Sequence, residues 1–252
     1  MLEGIKWQWE TYPEYLDVVD KLPKGINYSG YIGHSALRTY VMGERAFDEA
    51  ASEDDLKAMS HQVKEAVKAG ALGFSTSRSP SHRTSDDRQV ASRAADFAEI
   101  KTLVHAMGEL DAGIFQLAME RGDRDYVLQN YTDLKNLSIT SGRPITFGSL
   151  SRRESPGLWR DCYDIIEKGN LEGARLLTQV HSREINSVMS FETHLPFDNW
   201  DVWRDIRALP LEQQKVALRD PETKKKLIEI ASSPYQGPAV IGGEARPPEW
   251  NM

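Results

Sequence analysis

The chain has 252 residues, 40% hydrophobic and 27% charged, a composition that excludes a disordered chain and fits one large globular domain or two small ones. A formal net charge of -7 argues against a broad phosphate-binding face, so nucleic acid is not an expected partner. The single cysteine, Cys162, cannot form an intrachain disulfide. No apolar run approaches the roughly 20 residues that cross a bilayer, and the N-terminus lacks a secretory pattern, so no membrane is expected and the expected location is cytoplasmic.

Thr11 ahead of Pro13 predicts a short helix over 13–21, closed at Leu22-Pro23-Lys24-Gly25, because a capping hydroxyl and an early proline both favour a helix start. Residues 26–32 (INYSGYI) are rich in β-branched and aromatic side chains and read as a strand, with Gly33-His34-Ser35 as the turn after it. Ser52, followed by Glu53, Asp54 and Asp55, opens a helix: the hydroxyl caps free N–H groups and the carboxylates meet the positive end of the dipole. Within it Leu56, Met59, Val63, Ala66 and Val67 recur at three- and four-residue steps, which buries one face. Ala69-Gly70 ends it.

Residues 71–77 read as a second strand and residues 78–88 as a polar loop with no apolar period. The unit then recurs. A helix over 91–107 precedes a strand over 113–118, a helix over 126–141 precedes a strand over 144–148, and a helix over 157–168 precedes a strand over 174–180. Alternation of this kind predicts an α/β fold with a parallel sheet; periodicity leaves open whether the sheet closes as a barrel. Residues 198–231 read as amphipathic helices broken at Pro210 and Pro221, and residues 237–252 as an irregular tail rich in Gly and Pro.

In parallel α/β folds, sites assemble at the C-terminal ends of the strands. That rule nominates His34, Ser35 and Arg38 after the first strand, Ser75, Ser77 and Arg78 at the second, Gln116 in the third, and Gln179, His181 and Arg183 at the fifth. The plain alternative is that Ser75 and Ser77 finish a strand with local hydrogen bonds, Gln116 is a satisfied core amide, and His34 caps a helix. His34 and His181 have the chemistry of a metal pair or of acid/base groups. Neither HxH nor HExxH occurs, however, and the six histidines are scattered singly along the chain, so no complete zinc site is written here. His61 and His105 fall in amphipathic helices, His82 falls in an arginine-rich loop, and Cys162 reads as a small buried hydrophobe. The segment Gly73-Phe-Ser75-Thr-Ser77 fails the GxSxG spacing of a serine hydrolase, and P-loop and GxGxxG motifs are absent.

Three segments together, Trp9 to Leu16 (WETYPEYL), Gly33 to Arg38 (GHSALR) with Val41-Met42-Gly43, and Ala69 to Ser77 (AGALGFSTS), resemble the D-aminoacylase branch of the metal-dependent amidohydrolases. Gln179 to Arg183 (QVHSR) and His194 to Phe197 (HLPF) are similar to its longer members. The resemblance implies a TIM-type β/α barrel joined to a small β domain, and zinc-dependent hydrolysis of the N-acyl amide bond of N-acyl-D-amino acids. It also implies an HxH motif after the first barrel strand, a cysteine ligand on a later strand and a catalytic aspartate near the last; the chain is expected to begin after the first two and end before the third. Where the family carries histidine ligands, this chain has Gln116 and, on the next strand, Thr146-Phe147-Gly148.

The expected organisation is an incomplete barrel domain over 1–236 with an irregular tail over 237–252. Zinc is the family's cofactor, and Gln and Phe are poor substitutes for imidazole. The chain is thus expected to be a hydrolase fragment, inactive alone, that keeps a wall facing a small N-acylated substrate. His34, Ser75, Arg78, Gln116, His181 and Arg183 are its expected lining, with the arginines suited to a substrate carboxylate. The alternative is a non-catalytic binding or assembly module completed by a companion chain or a second copy, because a partial barrel exposes two sheet edges.

Overall fold

A computed structural model describes residues 6–79, 82–86, 88–120, 122–149, 156–180, 182, 190–192 and 195–233. The chain divides into two compact units, one made of residues 1–79 and 89–181, the other of residues 80–88 and 182–252.

The first unit is built on five strands, β1 (Tyr31–Gly33), β2 (Gly73–Ser77), β3 (Ile114–Ala118), β4 (Ile145–Gly148) and β5 (Leu176–Gln179). They lie side by side in sequence order and every pair is parallel. Parallel neighbours need crossovers long enough to return the chain. These are α2 (His34–Met42) and α3 (Glu53–Ala69), then α4 (Phe97–Gly108), α5 (Arg124–Ser141) and α6 (Leu158–Leu171), with α1 (Tyr12–Asp20) ahead of β1. The result is a run of β/α steps of a TIM-type barrel.

One core joins sheet and helices. Phe74, Phe115, Ile145, Phe147 and Leu176 of the strands pack with Met59 and Val63 of α3, Leu103 and Met107 of α4, Leu134 and Leu137 of α5, and Ile166 of α6. The Phe74 and Phe115 rings stack at 5.6 Å between centroids. This arrangement follows from the sequence pattern: apolar side chains at three- and four-residue steps on each helix meet strands of bulky residues.

Ser52 caps α3 as its sequence predicts. Its hydroxyl accepts from the Asp55 N–H at 3.2 Å and the Asp55 carboxylate accepts from the Ser52 N–H at 3.0 Å. Ser52→Ala is expected to cost about 1 kcal/mol, read as a lower urea midpoint with an unchanged slope. Gly70 then ends α3 with φ +114, a conformation that favours glycine.

Three expectations need correction. The predicted strand over 26–32 is only Tyr31–Gly33, because Ile26 and Tyr28 stand exposed and pack against no sheet neighbour. The predicted turn at Gly33-His34-Ser35 is the start of α2, capped by Gly33 with no side-chain bond, so the usual start signal is missing. The predicted helix over 91–107 breaks in two: a 3-10 turn over Ala91–Ala94, then an extended Ala95, then α4 with Asp96 as its cap.

In the second unit, α7 (Asp201–Arg207), α8 (Leu211–Arg219) and α9 (Pro221–Ala231) divide at Pro210 and Pro221 as predicted. The predicted tail over 237–252 lies outside the described residues. Among the described residues, no helix is long and apolar enough to cross a membrane.

Candidate functional site

Successive side chains of a strand point to opposite faces, so the register sorts the strand residues. Ile32, Phe74, Phe115, Ile145 and Leu176 share one level and face the helices. The next level, on the opposite face, is Gly33, Ser75, Gln116, Thr146 and Leu177. Ser75, Gln116 and Thr146 thus form a polar row across three neighbouring strands. The Gln179 amide, two residues beyond Leu177, donates to the Thr146 hydroxyl at 2.9 Å. This row presents hydroxyls and carboxamides, groups that both donate and accept, at the middle of the strands, two residues before their C-terminal ends.

His34 and Arg38 follow β1 but belong to the helix side. The His34 ring is 1% exposed and Arg38 is fully buried. Nε2 of His34 contacts Glu99 Oε1 at 2.7 Å and Nδ1 contacts the Thr76 hydroxyl at 2.8 Å. Because a carboxylate only accepts, Nε2 carries the proton and Nδ1 accepts from Thr76. Arg38 bridges to the other Glu99 oxygen and donates to the carbonyls of Ala46 and Glu49. Burial pushes the His34 pKa down more strongly than Glu99 raises it. Burial also acts to raise the Glu99 pKa, but hydrogen bonds from His34 and Arg38 outweigh it and the net shift is downward. A neutral imidazole, a carboxylate and a guanidinium are therefore locked together inside the first unit.

Arg78 leaves the end of β2 and meets Glu120, two residues past β3, with Nε to Oε1 at 2.7 Å. Its Nη1 donates to the carbonyl of Ala95 at 3.0 Å, and the Tyr126 hydroxyl donates to the other Glu120 oxygen. An incoming carboxylate would therefore meet a guanidinium already partnered by an acid.

The structure brings Ser75 and Gln116 into one row and places Arg78 at its C-terminal side; it places His34 in the helix layer. Ser35 bonds to Ser92, whose hydroxyl donates to the Ser77 carbonyl, so this pair ties α2 to the end of β2. His181 and Arg183 lie outside the described residues. His61 is exposed, and His105 is exposed with a 3.4 Å contact to Thr140. Cys162 is buried on α6, and burial pushes its thiol pKa up, which disfavours a thiolate.

The positions that would hold metal fail a test on their own chemistry. Gln116 and Thr146 stand in the row with an amide and a hydroxyl, the Thr146 hydroxyl is already bonded to Gln179, and zinc favours imidazole, thiolate or carboxylate. Among the described residues, no group of three or more His, Cys, Asp or Glu side chains is placed to hold a metal ion. The described residues of this row do not fit a zinc centre.

Two acids escaped the sequence reading. Glu99 looked like an ordinary helical carboxylate; the only signal was its place three residues after the Asp96 cap. Glu120 follows the β3 terminus, so the same strand-end rule that nominated Gln116 would have found it.

Parallel strands in sequence order, joined by helices and carrying a polar row on one face, define the class, a β/α fold of TIM-barrel type. The chain belongs to the amidohydrolase family, whose sequence model matches residues 2–223. An uncharacterized protein of Mycobacterium tuberculosis is 44% identical over 70 residues, 27% of this chain and 12% of that protein. The D-aminoacylase of Alcaligenes xylosoxydans is 35% identical over 74 residues, 29% of this chain and 15% of the enzyme. The fold is similar to that of the N-acyl-D-glutamate deacylase of Bordetella bronchiseptica, solved with zinc and a phosphonate mimic of the tetrahedral intermediate. The TM-score is 0.57 and the identity 20%, over 69% of this chain and 34% of that one. A D-aminoacylase structure described by its binuclear metal centre matches at TM-score 0.57 and 19% identity over the same shares. The chain therefore spans about a third of the length of these structural neighbours, and the matched segments cover less than a sixth of these sequence relatives. The resemblance to the D-aminoacylase branch and the parallel β/α fold are borne out.

Proposed function

We propose that the chain supplies the substrate-facing wall of a hydrolase acting on N-acyl amide bonds, those of N-acyl-D-amino acids, and does not turn substrate over by itself. One observation supports this reading above others: Ser75, Gln116 and Thr146 stand in register on one face, with Gln179 bonded to Thr146. An N-acyl amide has one N–H and one C=O, and a row of hydroxyls and carboxamides matches both without a charge. Arg78 stands at the C-terminal side of the row as the group for the substrate carboxylate, shared with Glu120.

A D-aminoacylase is among the sequence relatives and an N-acyl-D-glutamate deacylase among the structural neighbours, which supports this substrate class. The row's own residues bind and orient the amide. The division into a barrel portion over 1–236 and a tail over 237–252 belongs to the same proposal.

The test is equilibrium binding of N-acetyl-D-glutamate and N-acetyl-D-leucine to the purified chain, alongside zinc content and hydrolysis. Saturable binding without turnover is expected, and Gln116→Ala is expected to weaken it about three- to tenfold, the worth of one hydrogen bond. Stoichiometric zinc with turnover, or binding that ignores Gln116→Ala, overturns the reading.

A further inference from the structure

Arg78 and Glu120 stand just past the last paired rung of β2 and β3, where Ser77 meets Ala118. Both strands are inner strands, each with a neighbour on either side, so the two residues are held from within the sheet. Their side chains are 21% and 16% exposed, and water screens their charges only in part. Both groups are fixed. Glu120 accepts from Arg78 Nε through Oε1 at 2.7 Å and from the Tyr126 hydroxyl through Oε2, and Tyr126 belongs to the first turn of α5. Arg78 donates in addition to the Ala95 carbonyl at 3.0 Å. Arg93, whose guanidinium donates to the Arg78 carbonyl, is exposed, so solvent meets its charge.

A lone guanidinium recruits any carboxylate. This one has an acid built against it, and a resident acid penalises every anionic ligand. An N-acyl-D-amino acid brings one carboxylate of its own. With Arg78 between them, that carboxylate and Glu120 share a single cation, which leaves the three groups with one negative charge in excess. A basic side chain on the substrate cancels the excess, and an acidic one doubles it.

We infer that Glu120 determines specificity at this end of the wall, and that the site takes N-acyl-D-amino acids with a basic side chain, such as lysine, ahead of neutral and acidic ones. The α-carboxylate meets Arg78 and the side-chain ammonium meets Glu120. A lysine stem is flexible enough for one molecule to reach both. The inference rests on the wall proposed above, in which Ser75 and Gln116 hold the amide.

The experiment is equilibrium binding of Nα-acetyl-D-lysine, N-acetyl-D-leucine and N-acetyl-D-glutamate to the purified chain at low salt, where charge contacts are least screened. The lysine derivative is expected to bind most tightly and the glutamate derivative least, with steps of about three- to tenfold, the scale of one partly screened charge contact. Glu120→Gln keeps the size and an acceptor for Tyr126 but removes the charge. It is expected to move the two ends in opposite directions, weaker for the lysine derivative and tighter for the glutamate derivative, whereas damage to the fold would weaken all three alike. Glu120→Asp is expected to keep the order. Equal affinities, any other order, or an order that Glu120→Gln leaves unchanged overturns the inference. In those cases a uniform weakening by Gln116→Ala leaves the wall standing. If none of the three binds, the wall and the inference fall together.

Discussion

Glu99→Ala is expected to lower the folding stability by about 3–5 kcal/mol, the cost of breaking a buried ion pair by removing one partner. Glu99 is 4% exposed and Arg38 is fully buried. Without the carboxylate, the guanidinium keeps only the carbonyls of Ala46 and Glu49, and the His34 Nε2 proton has no acceptor. Glu99→Gln retains an acceptor but loses the charge, so it is expected to fall between Glu99→Ala and the parent. Urea unfolding measures both, and a midpoint for Glu99→Ala close to the parent's would contradict the network.

The same cluster sets an acid dependence. The pKa of His34 is lowered in the folded chain, chiefly by burial. As pH falls below the unfolded value of about 6.5, the unfolded chain takes up a proton that the folded chain refuses. Glu99 is also lowered, its burial outweighed by His34 and Arg38. Below about 4.3, the unfolded carboxyl binds its proton first. In both windows the unfolded state holds more protons, so stability declines as the solution is acidified. His34→Gln is expected to remove the step near neutrality and leave the lower one.

Gly73→Ala is expected to cost about 3 kcal/mol or more, the sum of a strained backbone and an overpacked contact. Gly73 has φ +149, and a Cβ there would fall on the carbonyl oxygen of Ile114 and lie 2.5 Å from its nitrogen. Both atoms belong to the β2–β3 ladder, where Gly73 pairs with Ile114, so relief requires the two strands to part. Gly148→Ala is the control. It sits in the same sheet with nothing within 4 Å of the new Cβ and no positive φ, and is expected to change little. Equal urea midpoints for the two variants would refute the close approach.

The parallel sheet was legible because each strand is a short run of bulky residues, and a cap or a glycine separates it from the next helix. Ser52 with Asp55 and the stop at Gly70 were both read from local chemistry. Helix α2 escaped because it begins at Gly33 with no side-chain cap, so propensity had nothing to mark. The strand-end rule nominated Ser75 and Gln116 separately; that they share one row is set by the register pairing Ser75 with Gln116, which no local pattern in the sequence records. Arg38 was expected in the mouth because it follows β1, yet it lies 61 residues from Glu99 in sequence. No local pattern records a partner that far away. The pairing of Arg78 with Glu120 is hidden for the same reason.

The most direct test is the side-chain amide spectrum of Gln116 and Gln179 during titration with N-acetyl-D-glutamate. Both carboxamides are expected to shift together and saturate at one concentration, with the Thr146→Val variant releasing Gln179 from its bond. Perturbations that miss Gln116 and Gln179, while others appear elsewhere on the chain, would contradict a shared polar row as the surface that meets the substrate.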